Sequence, residues 1–334
     1  MNKKYVKWIL FLIILLIILG VSIILSLTVG ELKIPVSKLF SILNSQENTL
    51  EYTILTKLRI PRAILGLSVG GALSLSGLIL QGVYRNPLVE PYTLGISGGA
   101  TIGITVVIIK NFSTRLNGLM LPIAGFTGAL GTILMVYFLS IRKGKININS
   151  MLLIGVMVSF VSSSVMMLLM SLTTSDNLHG IIFWIMGSLE EPDSFLINIM
   201  FYTSVAALLL TYLFVQPLNA LRLGEEKARN LGINTDLSIR ILFVISSLLT
   251  GIAVSVAGVI GFVGLIIPHI IRYIIGPDYR ILIFSSYIGG AAFMLLCDII
   301  ARNIIAPNEL PIGVITGIAG GTIFIAALKK THYN

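Results

Sequence analysis

Charged residues fall in narrow bands along this chain, and the intervals between the bands are long and apolar. The uncharged intervals are 8–30, 63–84, 91–109, 116–141, 146–175, 194–221, 241–271, 281–297 and 310–328. A helix needs about 20 apolar residues to cross the hydrocarbon core of a bilayer. Most of the intervals fit one crossing each. Only 11% of the residues are charged and 56% are hydrophobic, whereas a soluble domain carries about 25% charged residues. A soluble fold of 334 residues would lack a polar surface, so lipid must solvate much of the chain. The first interval follows Lys3, Lys4 and Lys7. It exceeds the roughly 7–15-residue apolar core of a secretory signal. It is therefore expected to be a retained first helix, with its lysines on the cytoplasmic side.

The interval 241–271 is too long for one helix and short for two. Parity resolves it. The N-terminal lysines and Lys329 and Lys330 belong on the same side, so the number of crossings is even. Two crossings over 233–275 make ten, with a turn in AGVIGFVG, residues 257–264. So tight a return predicts a short or broken helix, which is tolerated only inside the bundle or beside a watery cavity. This arrangement puts 15 cations inside: the five terminal lysines with Arg85, Arg142, Lys143, Lys145, Arg222, Lys227, Arg229, Arg240, Arg272 and Arg280. Eight lie outside: Lys33, Lys38, Lys57, Arg59, Arg62, Lys110, Arg115 and Arg302. The excess obeys the positive-inside rule. The expected fold is an all-α polytopic membrane protein over 1–334, one transmembrane domain of about ten helices with both termini cytoplasmic. Residues 177–189, NLHGIIFWIMGSL, are too few to cross. They predict an external helix, either a lid on the surface or the lining of an exit.

An internal echo runs through the chain. Gly71, Gly77, Leu78, Ile79 and Arg85 recur as Gly258, Gly264, Leu265, Ile266 and Arg272, and a GGA follows each copy. Both copies run toward the cytoplasm, which points to a parallel duplication, a common transporter design.

The stretch RNPLVEPYTLGISGGA, residues 85–100, invites a phosphate-loop reading. A nucleotide loop needs G-x-x-x-x-G-K-[ST] after a strand, and that sequence occurs nowhere in the chain. The glycines fit close helix packing better, as do Gly66, Gly70, Ser74 and Gly77. No H-E-x-x-H is present. The single Cys297 excludes an intrachain disulfide, and three scattered histidines make no metal site. The net charge of +9 is explained by cytoplasmic loops and requires no nucleic-acid partner. Asp298 is the one acid deep in an apolar run. An ion-coupled secondary transporter would use such a group. Arg302, four residues on, gives the competing reading of a structural pair. Arg59, Arg62 and Arg302 place three permanent cations on the outer face, either snorkelling to lipid or receiving an acidic partner.

The longest charged segment, LNALRLGEEKARNLGINTDLSIR at 218–240, is cytoplasmic. It reads as a short helix, a glycine turn, a second short helix and a cap. Leu221, Leu223, Ala228, Leu231 and Ile233 are expected to form one apolar side. Such a knob can insert into a partner's groove.

The chain resembles the FecCD/BtuC-type permease subunits of type II ABC importers, which carry iron–siderophore complexes, haem or vitamin B12. The likeness runs from about Gly30 to Lys329 through LRIPRAILGLSVGGALSLSG, QGVYRNPLVEPYTLGISGGA, LGEEKARNLGI, AGVIGFVGLIIPHIIR, CDIIAR and ELPIGVITGIAGGTIF. The resemblance implies ten helices, a second permease subunit with a path between the two, and separate ABC ATPase subunits. It also implies an extracytoplasmic substrate-binding protein, residence in the cytoplasmic membrane, no resident cofactor and no enzymatic activity of the chain itself. In that family the residues matching Arg59, Arg62 and Arg302 face acids on the binding protein. Those matching Gly224, Glu225, Ala228, Arg229, Leu231 and Gly232 seat in an ATPase groove. Asn149 matches the family's cytoplasmic gate. No residue specifies which chelate is carried.

Overall fold

The computed structural model describes residues 3–44, 49–110, 119–142, 145–191 and 193–332, which are almost entirely helical. Arg115 and Lys143, counted above among the loop cations, lie outside the described residues. Helix α1 (Lys3–Thr28) is followed by short helices α2 (Val36–Asn44) and α3 (Leu50–Thr53). A π-helical turn, Ile54–Arg59, then runs into α4 (Ile60–Tyr84). A 3-10 turn, Pro91–Leu94, precedes α5 (Ile96–Ile109). Helices α6 (Met120–Ser140) and α7 (Ile148–Ser171) are joined through a ladder that pairs Ile141–Arg142 with Lys145–Ile146. Then come α8 (Ser175–Met186), α9 (Ser194–Tyr212), α10 (Val215–Leu221), α11 (Glu225–Asn230) and α12 (Thr235–Ala257). Helices α13 (Val263–Ile275), α14 (Tyr279–Asn303) and α15 (Ile312–His332) complete the chain.

The ten expected crossings correspond to α1, α4, α5, α6, α7, α9, α12, α13, α14 and α15. Seven of the described helices are long and apolar enough to cross a membrane, and α5, α13 and residues 312–326 of α15 are shorter apolar helices. Helices α5 and α13 rise only about 20 Å, against a core of roughly 30 Å. The return between α12 and α13 falls at 258–262, inside the expected stretch. Its irregular backbone is satisfied from neighbouring loops. Ser188 N–H donates to the Ala257 carbonyl at 2.9 Å, and Ile260 N–H donates to the Tyr92 hydroxyl at 3.2 Å. Gly258 has φ +73°, and a Cβ there would overlap the Trp184 carbonyl, so only glycine fits. The short helix α8 occupies the segment expected not to cross.

Contacts sort the loops into two ends. Lys4 reaches Asp278 and Lys7 reaches the Ile274 carbonyl, with Arg222 on Pro277 nearby. At the other end Arg302 reaches Ser26, and Arg59 reaches Leu27. These groups are the cytoplasmic and outer sets assigned by charge.

Helix α4 is the central post. In the Leu50–Tyr84 span 89% of the most apolar window is buried, against 11% for α1 and for α7. Lipid tails are as apolar as leucine, so helices must associate through close packing and hydrogen bonds. Gly70 faces Gly290 of α14, and Gly77 faces Gly264 of α13, each so closely that a Cβ would overlap the opposing carbonyl. Ser74 Oγ donates to the Ser286 carbonyl at 2.7 Å, and Ser76 Oγ to Ser246 at 2.9 Å. The small-residue face read from Gly70, Ser74 and Gly77 is thus a contact surface. The two copies of the echo meet there, because Gly77 and Gly264 are its matched positions.

Overpacking a tight core costs about 1–3 kcal/mol. Gly77→Ala is therefore expected to lower the melting temperature of the detergent-solubilised chain clearly. Gly20→Ala on α1, with nothing within 4 Å, should leave it unchanged or higher. Equal melting of the two variants would show that the α4–α13 contact is not tight in the membrane protein.

Candidate functional site

The outer end is organised around Asp298, which is fully buried near the end of α14. Arg62, in the first turn of α4, donates from Nε to Asp298 Oδ1 at 2.8 Å. Its Nη1 donates to Glu190 Oε1 at 3.2 Å, and its Nη2 lies 2.7 Å from Glu309 Oε2. Arg302 Nε lies 3.0 Å from Asp298 Oδ2, and Arg302 Nη2 donates to the carbonyl and hydroxyl of Ser26. The π-helical turn re-aims the side chains that precede α4. Arg59 at its end points inward and donates to the carbonyls of Leu27 and Leu32. It thereby satisfies a carbonyl at the C-terminus of α1, where intrahelical partners run out.

The three expected cations therefore cluster, but not as a free positive patch. Arg59 is 5% exposed, and the side chains of Arg62 and Arg302 are 12% and 8% exposed. Glu190 and Glu309 were not singled out from the sequence. Their signal was present: both sit in outer loops beside prolines, on the side assigned to Arg62. Above the cluster opens a cavity of about 920 Å³, also lined by Glu31, Lys57 and Glu191. Burial pushes the Glu191 carboxyl up from its ordinary value, partly opposed by the Asp193 N–H that it accepts. Asp298 is enclosed by two guanidiniums, so it is not an open site for a coupling ion.

At the inner end the segment 218–240 has the expected order of helix, glycine turn, helix and cap. Gly224 has φ +109° and Gly232 φ +83°, which turn the chain at both ends of α11. These turns split the expected apolar side. Leu221 and Ala228 are buried and Ile233 packs partly on the core, whereas Leu223 and Leu231 are 58% and 63% exposed. Arg229 braces the knob on α12: it donates to Glu225 Oε1 at 2.7 Å and to Thr235 Oγ1 at 2.8 Å, and contacts Asp236 at 3.3 Å. Asn219 of α10 donates to Asp278 Oδ1 at 3.4 Å. Asp278 also accepts from Lys4 and Arg280, and so ties α1 and α10 to the start of α14. Asn149 lies exposed in the first turn of α7, after the Asn147 cap whose side chain accepts from Ser150 N–H.

Two outcomes follow. Asp298→Ala leaves Arg62 and Arg302 without their shared buried counter-ion, and breaking such a pair costs about 3–5 kcal/mol. Glu190→Gln, at a side chain 64% exposed, should cost about 1 kcal/mol or less. Thermal unfolding in detergent separates the two, and equal losses would contradict the burial argument. At Asp278 partial burial would raise the carboxyl, but its bonds from Arg280 and Lys4 hold it well below the usual range. Its contribution is therefore present above the unfolded value of about 3.9 and fades as pH falls below it. Asp278→Asn should melt lower than the parent at pH 7, and the gap should narrow from about pH 4 downward. A gap that stays constant with pH would contradict this.

The model of the FecCD transport family matches residues 14–330. The hemin transport system permease protein HmuU of Yersinia pestis is 36% identical over 317 residues, covering 94% of this chain and 93% of that protein. The vitamin B12 import system permease protein BtuC of Salmonella typhi is 35% identical over 275 residues, covering 82% and 83%. A metal-chelate type ABC transporter solved in an inward-facing conformation superposes with a TM-score of 0.84 at 28% identity, covering 97% of this chain and 99% of the other. With the family matched over nearly its whole length, this multi-pass membrane chain belongs to the FecCD transport family of ABC transporter permeases.

Proposed function

We propose that the chain is the permease subunit of an ATP-driven importer of a bulky metal chelate, iron–siderophore, haem or cobalamin, in the cytoplasmic membrane. The observation that carries this reading is the α10–α11 knob. It presents Leu223 and Leu231 to the cytosol and is braced by Arg229 onto α12 and through Asp278 onto α14 and α1. An exposed apolar pair on a rigid support suits a groove in a separate ATPase. Motion of that ATPase on binding ATP would pass through the bracing ion pairs into the bundle as a rigid-body switch. Gly224, Glu225, Ala228, Arg229, Leu231 and Gly232 form the coupling element, and Asn149 stands at the cytoplasmic gate. A second permease subunit, identical or paralogous, completes the path.

The outer cluster is the docking site for a substrate-binding protein. Arg62 and Arg302 supply its charge from below, and Arg59 holds the adjoining loop. Glu190 and Glu309 are the exposed partners of Arg62, with side chains 64% and 36% accessible. An acidic side chain of the binding protein can replace them in an ion-pair exchange, which costs less than desolvating a bare arginine. The relatives named for hemin and vitamin B12 support the chelate class.

Replacing Leu223 and Leu231 together by Asp should abolish co-purification with the cognate ATPase and reduce ATP-driven chelate uptake into vesicles at least about tenfold. The variant chain should still enter the membrane and melt as the parent does. Uptake driven by an ion gradient, without ATPase or binding protein, would overturn the proposal.

A further inference from the structure

We propose that the inner end of the bundle holds a site for a phosphate group that carries a neighbouring hydroxyl or ammonium donor. A cavity of about 390 Å³ opens there, between the end of α4, the last turns of α13 and the start of α14. Arg85, Arg222 and Arg272 line it together with His269 and Tyr279, and its lining contains no carboxylate. Among the described residues none of the three guanidiniums has a carboxylate partner. This sets them apart from Arg62, Arg229, Arg280 and Arg302, which are all paired. Arg222 donates to the Pro277 carbonyl at 2.8 Å, which fixes its head beside the cavity. Three convergent cations without a counter-ion repel one another, so an anion between them is favoured. Guanidinium forks match the oxygens of phosphate.

Two further observations point to a ligand. Gln81 is 3% exposed and lines the same cavity. Its Nε2 donates to the carbonyls of Gly264 and Leu265, both at 3.1 Å, which fixes the amide's orientation. Its Oε1 is left buried with no partner. A buried acceptor without a donor is costly, and a dialkyl phosphate, which has no P–OH at neutral pH, cannot by itself supply one. A phosphate bearing a glycerol hydroxyl or an ethanolamine ammonium can. Arg85 itself stands in left-handed backbone, φ 52° and ψ 31°, a region costly for any residue with a Cβ. That strain aims its side chain toward the cavity and toward Gly224, 3.5 Å from Nη1 to an ideal Cβ there. Arg85 and Arg272 are also the matched arginines of the internal echo, so both copies deliver their cation to one place. Tyr273 lines the cavity and is 55% exposed, with Ile274 beside it at 43%. The cavity thus borders an apolar surface at the inner membrane boundary, where basic pockets between helices meet lipid headgroups.

The test is native mass spectrometry of the full chain, purified in detergent and titrated separately with phosphatidylglycerol, phosphatidylcholine, glycerol 3-phosphate and inorganic phosphate. Phosphatidylglycerol should be retained about tenfold more tightly than phosphatidylcholine, which has no hydroxyl or ammonium donor. The double variant Arg85→Gln, Arg272→Gln should lose at least about tenfold in that affinity, and Arg272→Lys should fall between. Gln81→Leu should narrow the preference over phosphatidylcholine, and the net charge of phosphatidylglycerol should account for what remains. Lys3→Gln, at an exposed lysine near the same end, should change nothing. Displacement of phosphatidylglycerol by glycerol 3-phosphate would assign the site to a soluble ester, and resistance to it would assign the site to lipid. Either result supports a phosphate site. Retention of no probe above phosphatidylcholine, or equal weakening by Lys3→Gln, would overturn it. So would arginine variants that lose only their assembly with the ATPase, because the pocket would then belong to a protein carboxylate.

Discussion

Helix α4 meets α14 through Gly70 and Gly290, and α13 through Gly77 and Gly264, with no side chain between the backbones. Much of the rest of the structure hangs on those two contacts. In lipid there is little hydrophobic reward for pushing helices together, so backbone proximity and short hydrogen bonds must do it. Two serines of α4 add bonds to carbonyls of α14 and α12. A bundle built this way has its least exposed helix in the middle and its most exposed helices, α1 and α7, at the rim. It also lets a half-length helix such as α13 exist, because its irregular entry at 258–262 is enclosed by α8 and the loop before α5.

The two ends of the bundle handle charge differently. At the outer end three arginines answer three carboxylates and three backbone carbonyls, so the charges are neutralised in place. At the inner end the arginines divide. Arg229 and Arg280 are paired and stiffen the knob and its anchor, whereas Arg85, Arg222 and Arg272 gather without acids. The first arrangement suits a surface that exchanges one ion partner for another. The second suits a surface that waits for an anion.

The stretch RNPLVEPYTLGISGGA shows how the two levels combine. Arg85 ends α4 in left-handed backbone, and Pro91 begins a single 3-10 turn. Gly99 then approaches Gly128 of α6 too closely for a Cβ, so the glycines pack helices and do not cradle a nucleotide. The segment 218–240 is a similar case. Its helix–turn–helix order was legible from Gly224 and Gly232, but its apolar side was not a single side. Positive φ at those glycines swings Leu223 and Leu231 outward while Ala228 stays in.

By itself the sequence determined the order of the apolar helices and the place of the broken return. Charge cannot sit unpaired in hydrocarbon, so its spacing reports membrane depth directly. It also placed Arg59, Arg62, Asp298 and Arg302 at one end, since Asp298 and Arg302 are one helical turn apart and the others precede a crossing. Only the tertiary structure decided that Arg59 turns inward to α1, that Arg62 serves Asp298, Glu190 and Glu309 at once, and that Arg85 and Arg272 share a cavity. Arg62 lies 128 residues from Glu190, 236 from Asp298 and 247 from Glu309, and Arg85 and Arg272 lie on separate copies of the echo. Which side chains meet across such distances is set by how the helices pack, and hydrophobic spacing along one chain carries no record of that.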